Sequence, residues 1–418
     1  MDGMKTWISY LAATALGLAA TLLFGESGIF QQVMYTITAL FVQLGGFVLI
    51  PLVFFGFSSG IASLRKDSKG GVFARTTLLW SVFSTLLLVL SSALVFRFFP
   101  SYFPASTSAG SDASTLSIIA PQSLSTLFES MLPVNPFYTL ANAESFLLPV
   151  LVTALVFGYF LKPNVEVIRP AYVTMNSLSE TMFRLARAYS TTGHFFLFFA
   201  SSYWFSHLQM EGTIFVAGRF LLMLITATLS VILVVLPLLF GLVTRFRVNP
   251  YVVIYRMLAP AAAGLFSGSI FFSSPITISL SRHNLGCQKR VSATAIPLYT
   301  LIGRGGSAMI ATLSILSLLY AATQSMPADK VILFVALASA LFAYASPLYL
   351  GYEVFFISTI ALQFLKIDLY GAEMTLIALM PILNGLGILV DSYIAAFGSA
   401  YTCQRLGVLT ESSYSDIL

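Results

Sequence analysis

Only 9% of this 418-residue chain is charged, whereas 58% is hydrophobic and 14% aromatic. A water-soluble globular chain carries about 25% Asp, Glu, Lys and Arg. With so few charges the chain cannot cover a water-facing surface of its own size. A soluble enzyme, a nucleic-acid binder and a disordered protein are therefore excluded. The remaining class is a polytopic membrane protein. The formal charge of +5 then reads as charge asymmetry across a bilayer and not as a nucleic-acid footprint.

A spanning helix needs about 20 mostly apolar residues. Stretches of this kind fall at 7–24, 33–59, 76–99, 145–161, 192–209, 219–244, 292–320 and 374–402. The first, which follows Lys5, resembles a signal peptide but is long enough to span and lacks a small-residue cleavage site, so it is read as the first membrane helix. Cys287 and Cys403 have no metal-ligand spacing, and His194, His207 and His283 are scattered. No nucleophile–base order, phosphate-binding glycine loop or catalytic carboxylate pair is present, so no enzyme activity is expected.

Two further apolar stretches are interrupted: 253–281 by Gly264, Gly268, serines and Pro275, and 331–365 by Ala345-Ser346-Pro347 and Gly351. Broken backbone at membrane depth is tolerated only where protein buries it or it lines a watery cavity. Such pairs of segments point to a transporter's binding site, and the plainer reading is two proline-kinked helices. Charge decides between them. Basic clusters at Arg65–Arg75, Lys162–Arg187, Arg245–Arg256 and Arg282–Arg290 read as cytoplasmic. No Lys or Arg falls between Arg97 and Lys162, and the Ser- and Thr-rich stretch Ser101–Ser125 within that interval reads as an extracytoplasmic loop. For the clusters at 245–256 and 282–290 to share a side, 253–281 must enter and return. The same parity applies to 331–365, and both termini become cytoplasmic.

Several short motifs then fall into register. Pro51-Leu52-Val53-Phe54 is followed by Ser59-Gly60-Ile61-Ala62-Ser63-Leu64. Further on come Asn135-Pro136-Phe137, Asn249-Pro250, Pro275-Ile276-Thr277, Gly286, Lys289-Arg290-Val291 and Ile296-Pro297. With these, the chain resembles the dicarboxylate/amino acid:cation symporters, the glutamate-transporter superfamily, over nearly its whole length. The resemblance implies an all-α fold of eight transmembrane helices plus two re-entrant helical hairpins, assembled as a homotrimer. A rigid scaffold would comprise 1–64 and 101–217. A transport domain would comprise 65–100 and 218–412 and carry the solute by an elevator movement, leaving 413–418 as a cytoplasmic tail.

The same resemblance exposes departures at the expected site. The unwound Asn-Met-Asp-Gly-Thr of the family's seventh helix matches Gly303-Arg304-Gly305-Gly306-Ser307. Glycines that break a helix remain, but the Asn and Asp oxygens are gone. The first hairpin's serine-rich tip becomes Ser269-Ile270-Phe271, with Ser273 and Ser274 beyond it. The second hairpin's tip keeps Pro347 behind Ala345 and Ser346. In the eighth helix the amine-binding aspartate falls on Asn384 and the carboxylate-gripping arginine on Gly387. The two sodium-site positions fall on Asp391 and Ala395, while a hydroxyl pair persists as Ser84-Thr85.

A guanidinium at membrane depth is costly, and such residues usually pair and mark a pathway. Arg304 is expected to replace a bound sodium ion as a tethered cation, pairing with Asp391 or with Glu353. Coupling would then be absent or carried by a proton on one of those carboxylates. Two alternatives stay open: Arg304 grips an anionic part of the solute, or it forms a static ion pair fixing helix register. The expected function is secondary transport of a small organic solute. Solute contacts are expected from Ser269, Ile270, Phe271, Ser273, Ser274, Arg304, Gly306, Ser307, Ala345, Ser346, Pro347, Asn384 and Asp391. Coupling is expected to involve Gly303, Arg304, Gly305, Glu353, Asp391, Ser84 and Thr85. No resident cofactor is expected, with sodium or a proton as the coupling ion. The partners would be the solute and the lipid of a bacterial inner membrane. A sensor or scaffold without flux, an anion conductor, and a sodium-coupled dicarboxylate or amino-acid symporter stay open. The little that follows Gly407 offers a sensor no signalling domain.

Overall fold

The structure, a computed structural model, describes residues 6–104, 135, 147–210, 213–344, 352–366 and 373–409. Among them every named element is a helix, and the one β-bridge joins Cys287 to Leu409. Among the described residues six stretches are long and apolar enough to cross a membrane: Thr6–Phe24, Gly28–Lys66, Gly70–Phe98, Ala217–Thr244, Lys289–Thr323 and Met380–Arg405.

The first three are α1, α2 and α3. After the residues outside the description come α4 (Leu148–Phe160) and α5 (Arg169–Met210). Helix α1 packs on α5, and α2 packs on both α4 and α5. Ser27 caps α2, and Arg65 and Lys66 sit in its last turn, where the helix dipole favours cations. Helices α2 and α5 both outrun the apolar stretches 33–59 and 192–209. Hydropathy registers the lipid-facing part of a helix and not the polar turns that continue it into water.

Helix α6 (Thr213–Ser230) passes through a π-turn, Val231–Val235, into α7 (Leu236–Thr244). Pro237 has no N–H for the Leu233 carbonyl, and the Tyr251 hydroxyl donates to that oxygen at 3.2 Å. Asn249 caps α8 (Pro250–Arg256) by accepting from the Tyr251 N–H at 3.0 Å, which explains the Asn-Pro pair.

The first interrupted stretch is α9 (Leu258–Ser267) and α10 (Ile270–Asn284). The chain turns at Gly268, whose φ of +57° glycine adopts without strain. Asn284, at the far end of α10, donates to the Arg256 carbonyl just before α9, at 3.0 Å. The segment therefore returns to its starting point. Pro275 lies inside α10 and is not the turn. It leaves the Phe271 carbonyl without a helical donor, and that carbonyl faces Gly45 of α2, where no side chain intervenes.

The seventh apolar stretch is two helices, α11 (Lys289–Ile302) and α12 (Gly305–Thr323), broken at Gly303-Arg304. Next come α13 (Asp329–Ala343) and α14 (Glu353–Phe364). These arms pack together, with the Phe364 ring 6.5 Å from that of Phe334 and 5.5 Å from that of Phe342. A short α15 (Glu373–Ala378) leads into α16 (Met380–Arg405). Helix α16 is packed on by α9, α11 and α12, and α3 lies along α12 and α13.

Candidate functional site

At Gly303-Arg304 the backbone leaves helical geometry, and α12 begins with buried backbone donors that its own N-cap cannot meet. Arg304 occupies the cap position and carries no acceptor. Asp391 of α16 meets them across the helix boundary. Its Oδ1 accepts from the Gly306 N–H at 2.7 Å and its Oδ2 from the Ser307 hydroxyl at 2.7 Å. A carboxylate at a helix N-terminus is also favoured by the dipole. The approach is possible because Gly306 and Gly387 lack side chains. A Cβ on Gly306 would lie 2.6 Å from Val390 Cβ, and one on Gly387 would lie 3.1 Å from Ser307 Cα.

The Arg304 side chain, 1% exposed, reaches both expected carboxylates. Its Nη2 donates to Glu353 Oε1 at 2.6 Å, and its Nη1 lies 3.6 Å from Asp391 Oδ2. Glu353 is the first residue of α14 and is fully buried. The next residue, Val354, donates its N–H to Asn384 Oδ1 at 3.2 Å. The Gly268 turn of the first hairpin reaches the same asparagine: a Cβ there would lie 3.8 Å from Asn384 Cβ. Asn384 of α16 is thus where the two interrupted segments converge.

Among the expected residues, Gly303, Arg304, Gly305, Gly306, Ser307, Glu353 and Asp391 gather at the break. Thr85 joins them, its Cα 3.0 Å from where a Gly305 Cβ would be, and Ser84 precedes it, fully buried. Ser269 caps α10 without a side-chain bond, and Ile270, Ser273 and Ser274 are buried on that helix. The Phe271 ring points elsewhere, to within 3.6 Å of a Cβ position on Gly46 of α2. Phe272 also turns to that side, its ring 4.8 Å from Phe41. Both rings belong to the packing of α10 on α2. Ala345, Ser346 and Pro347 lie outside the described residues. Among the described residues no cluster of three His, Cys, Asp or Glu has metal-holding geometry.

A second charged region was not foreseen. Glu180 of α5 pairs with Lys289 at 2.7 Å and with Arg282 at 3.5 Å, and Asp67 pairs with Arg290 at 2.6 Å. Asp67, Glu180, Lys289 and Arg290 border a polar cavity of about 590 Å³ between α2, α5 and α11. Burial raises the Glu180 carboxyl, but the bond and charge of Lys289 and the charge of Arg282 bring it net below its ordinary value. His283 is held low by burial, then by Arg187 and Arg282. The available signal was Glu180 within the basic run Lys162–Arg187, which hydropathy and charge counting treat as a loop.

The model of the sodium:dicarboxylate symporter family matches residues 6–347. Excitatory amino acid transporter 1 of Rattus norvegicus is 27% identical over 201 residues, which are 47% of this chain and 35% of that protein. The human protein of the same name matches with the same identity and coverage. The match thus spans about a third of the length of these relatives. The family match extends from α1 through α13, across the broken helix that holds Arg304, and the chain belongs to the sodium:dicarboxylate symporter family.

Proposed function

We propose that the chain is a secondary transporter for a small organic solute in which Arg304 replaces a bound sodium ion as a tethered cation. The observation that carries this reading is the guanidinium set between Glu353 and Asp391, with no exposure to solvent worth a hydration shell. A hard cation such as sodium needs several oxygen ligands. Here Asp391 already spends both oxygens on the α12 N-terminus and Arg304. The same positive charge is supplied covalently and cannot dissociate.

In this reading 1–64 and 101–217 form the scaffold of a homotrimer, and 65–100 and 218–412 move as an elevator. The two interrupted segments act as re-entrant hairpins among eight spanning helices. The second hairpin closes over the solute, because its return arm begins with the residue that grips Arg304. Both termini are cytoplasmic, and the membrane is a bacterial inner membrane. Counterflow of labelled solute in proteoliposomes, with choline in place of sodium, tests the coupling. Undiminished exchange is expected. Uptake that vanishes without sodium and returns with it overturns the tethered cation.

The family match favours a second reading, sodium-coupled symport of a dicarboxylate or an amino acid. That outcome of the same experiment would establish it. Binding without counterflow would instead indicate a sensor.

A further inference from the structure

The three charges at the helix break do not balance. Arg304 supplies +1, and Glu353 and Asp391 supply −1 each, so the cluster is formally −1 although its members are 1%, 0% and 2% exposed. A buried net charge is strongly disfavoured unless something compensates it.

The two carboxylates differ in what they have left to offer. Asp391 is occupied at both oxygens, by the Gly306 N–H, the Ser307 hydroxyl and Arg304. Glu353 gives Oε1 to Arg304, while its Oε2 is buried and accepts no hydrogen bond among the described residues. On the guanidinium, Nη1 and Nη2 face carboxylates, and Nε is a buried donor with no acceptor among the described residues. Buried polar atoms are nearly always paired, and an orphan in a native structure points to a missing partner. Here an unmet carboxylate oxygen and an unmet guanidinium N–H belong to one ion pair. That pair stands beside Asn384, where both interrupted segments meet α16.

We infer that this ion pair recognises a solute of single net positive charge, its protonated amine donating to Glu353 Oε2 and an oxygen of the solute accepting from Arg304 Nε. The inference rests on the transporter reading and names its substrate class. Basic amino acids and amino-acid amides meet both orphan atoms and bring the cluster to neutrality. A dicarboxylate would add two negative charges to a cluster already carrying one.

The test uses the full chain, purified and reconstituted in sodium-free potassium medium. L-lysine, L-leucinamide, L-leucine and L-glutamate are compared by thermal shift and by counterflow. Lysine and leucinamide are expected to stabilise the protein and to exchange, and glutamate to do neither. Glu353→Gln should weaken lysine binding about 10- to 100-fold, the scale of one lost hydrogen bond to a charged group, and Glu353→Asp should recover part of it. If Glu353→Gln fails to fold, the charge series on the unaltered protein decides alone. Equal responses to leucine or glutamate overturn the inference, as does lysine binding that is indifferent to Glu353→Gln. So does a shift given in full by sodium chloride, against choline chloride, without solute. Exchange of dicarboxylates alone leaves transport standing and removes this inference. No exchange of any solute removes the transporter reading and the inference with it.

Discussion

Arg304, Glu353 and Asp391 carry opposite consequences when each is neutralised in turn. Arg304→Gln leaves two carboxylates facing each other in a buried site with net charge −2. Its expected cost is about 3–5 kcal/mol, the range for removing one partner of a buried ion pair. Glu353→Gln leaves Arg304 opposite Asp391 with no net charge and is expected to cost clearly less. In the double variant Arg304→Gln/Glu353→Gln one carboxylate is relieved, so the loss should fall short of the sum of the singles. Equilibrium unfolding in detergent reads all three, and an additive double variant would contradict the pairing. Outside the membrane, Glu180 and His283 contribute to the acid limb of stability. The depressed Glu180 value stabilises the fold above the ordinary carboxylate pKa of about 4.3 and is lost as pH falls through its folded value. The depressed His283 value means that the unfolded chain binds the extra proton first, so stability begins to fall below about pH 6.5. His283→Gln should therefore flatten the drop in melting temperature just below pH 6.5 and leave the lower, carboxylate-driven part in place.

Helices cross closely at this site because glycine is placed where backbones meet, and that makes packing testable element by element. A methyl group on Gly306 would press on Val390 and on the Asp391 N–H at 2.9 Å, and one on Gly385 would meet the Leu265 carbonyl of α9. Backbone cannot give way as a side-chain tip can, so Gly306→Ala and Gly385→Ala should each cost about 1–3 kcal/mol. Gly71, in α3, has nothing within 4 Å of its added Cβ. There the same substitution should stabilise by about 0.4–1 kcal/mol through the unfolded chain. A melting series of the three separates crowding from helix propensity. The interruptions at 253–281 and 331–365 were readable in the sequence itself, whereas the break at Gly303-Arg304 came only through the family resemblance, 292–320 alone reading as one apolar span. Scarcity of charge also singled out Arg304, Glu353 and Asp391 before any contact was known. What stayed hidden depends on partners distant in sequence. Pro275 reads as a breaker but sits inside α10, because Gly45 of α2 leaves room for the carbonyl that it frees. Asn384 reads as a degraded ligand position, yet it caps the start of α14 through the Val354 N–H. Nor does hydropathy reveal that α5 begins at Arg169, since that part of the helix faces water and other charges.

Across the whole molecule, α2 and α5 meet α10 and α11 through two kinds of contact that respond differently to solvent. Gly60 of α2 lies against the Arg290 carbonyl and Thr294, and Gly56 lies 3.4 Å from Ala293 when given a Cβ, so small residues line this part of the boundary. At its polar end the same elements are joined by Asp67–Arg290, Glu180–Lys289 and Glu180–Arg282. Their side chains keep between 18% and 50% of their exposure. Such pairs contribute roughly 0–1 kcal/mol each and are screened once the Debye length falls below about 10 Å. A boundary of small residues and weak ion pairs can be separated at modest cost, which suits the relative movement proposed for these two groups of helices. The expectation is specific to salt. Raising ionic strength from about 0.05 M to 0.5 M with a non-binding salt should lower the melting temperature of the unaltered protein. Asp67→Asn/Glu180→Gln should begin lower and lose less. The Arg304 cluster lies too deep for screening, so Arg304→Gln should keep the full salt response of the unaltered protein. Equal salt slopes in the unaltered and double-variant proteins would show that the three pairs do not hold the two groups together.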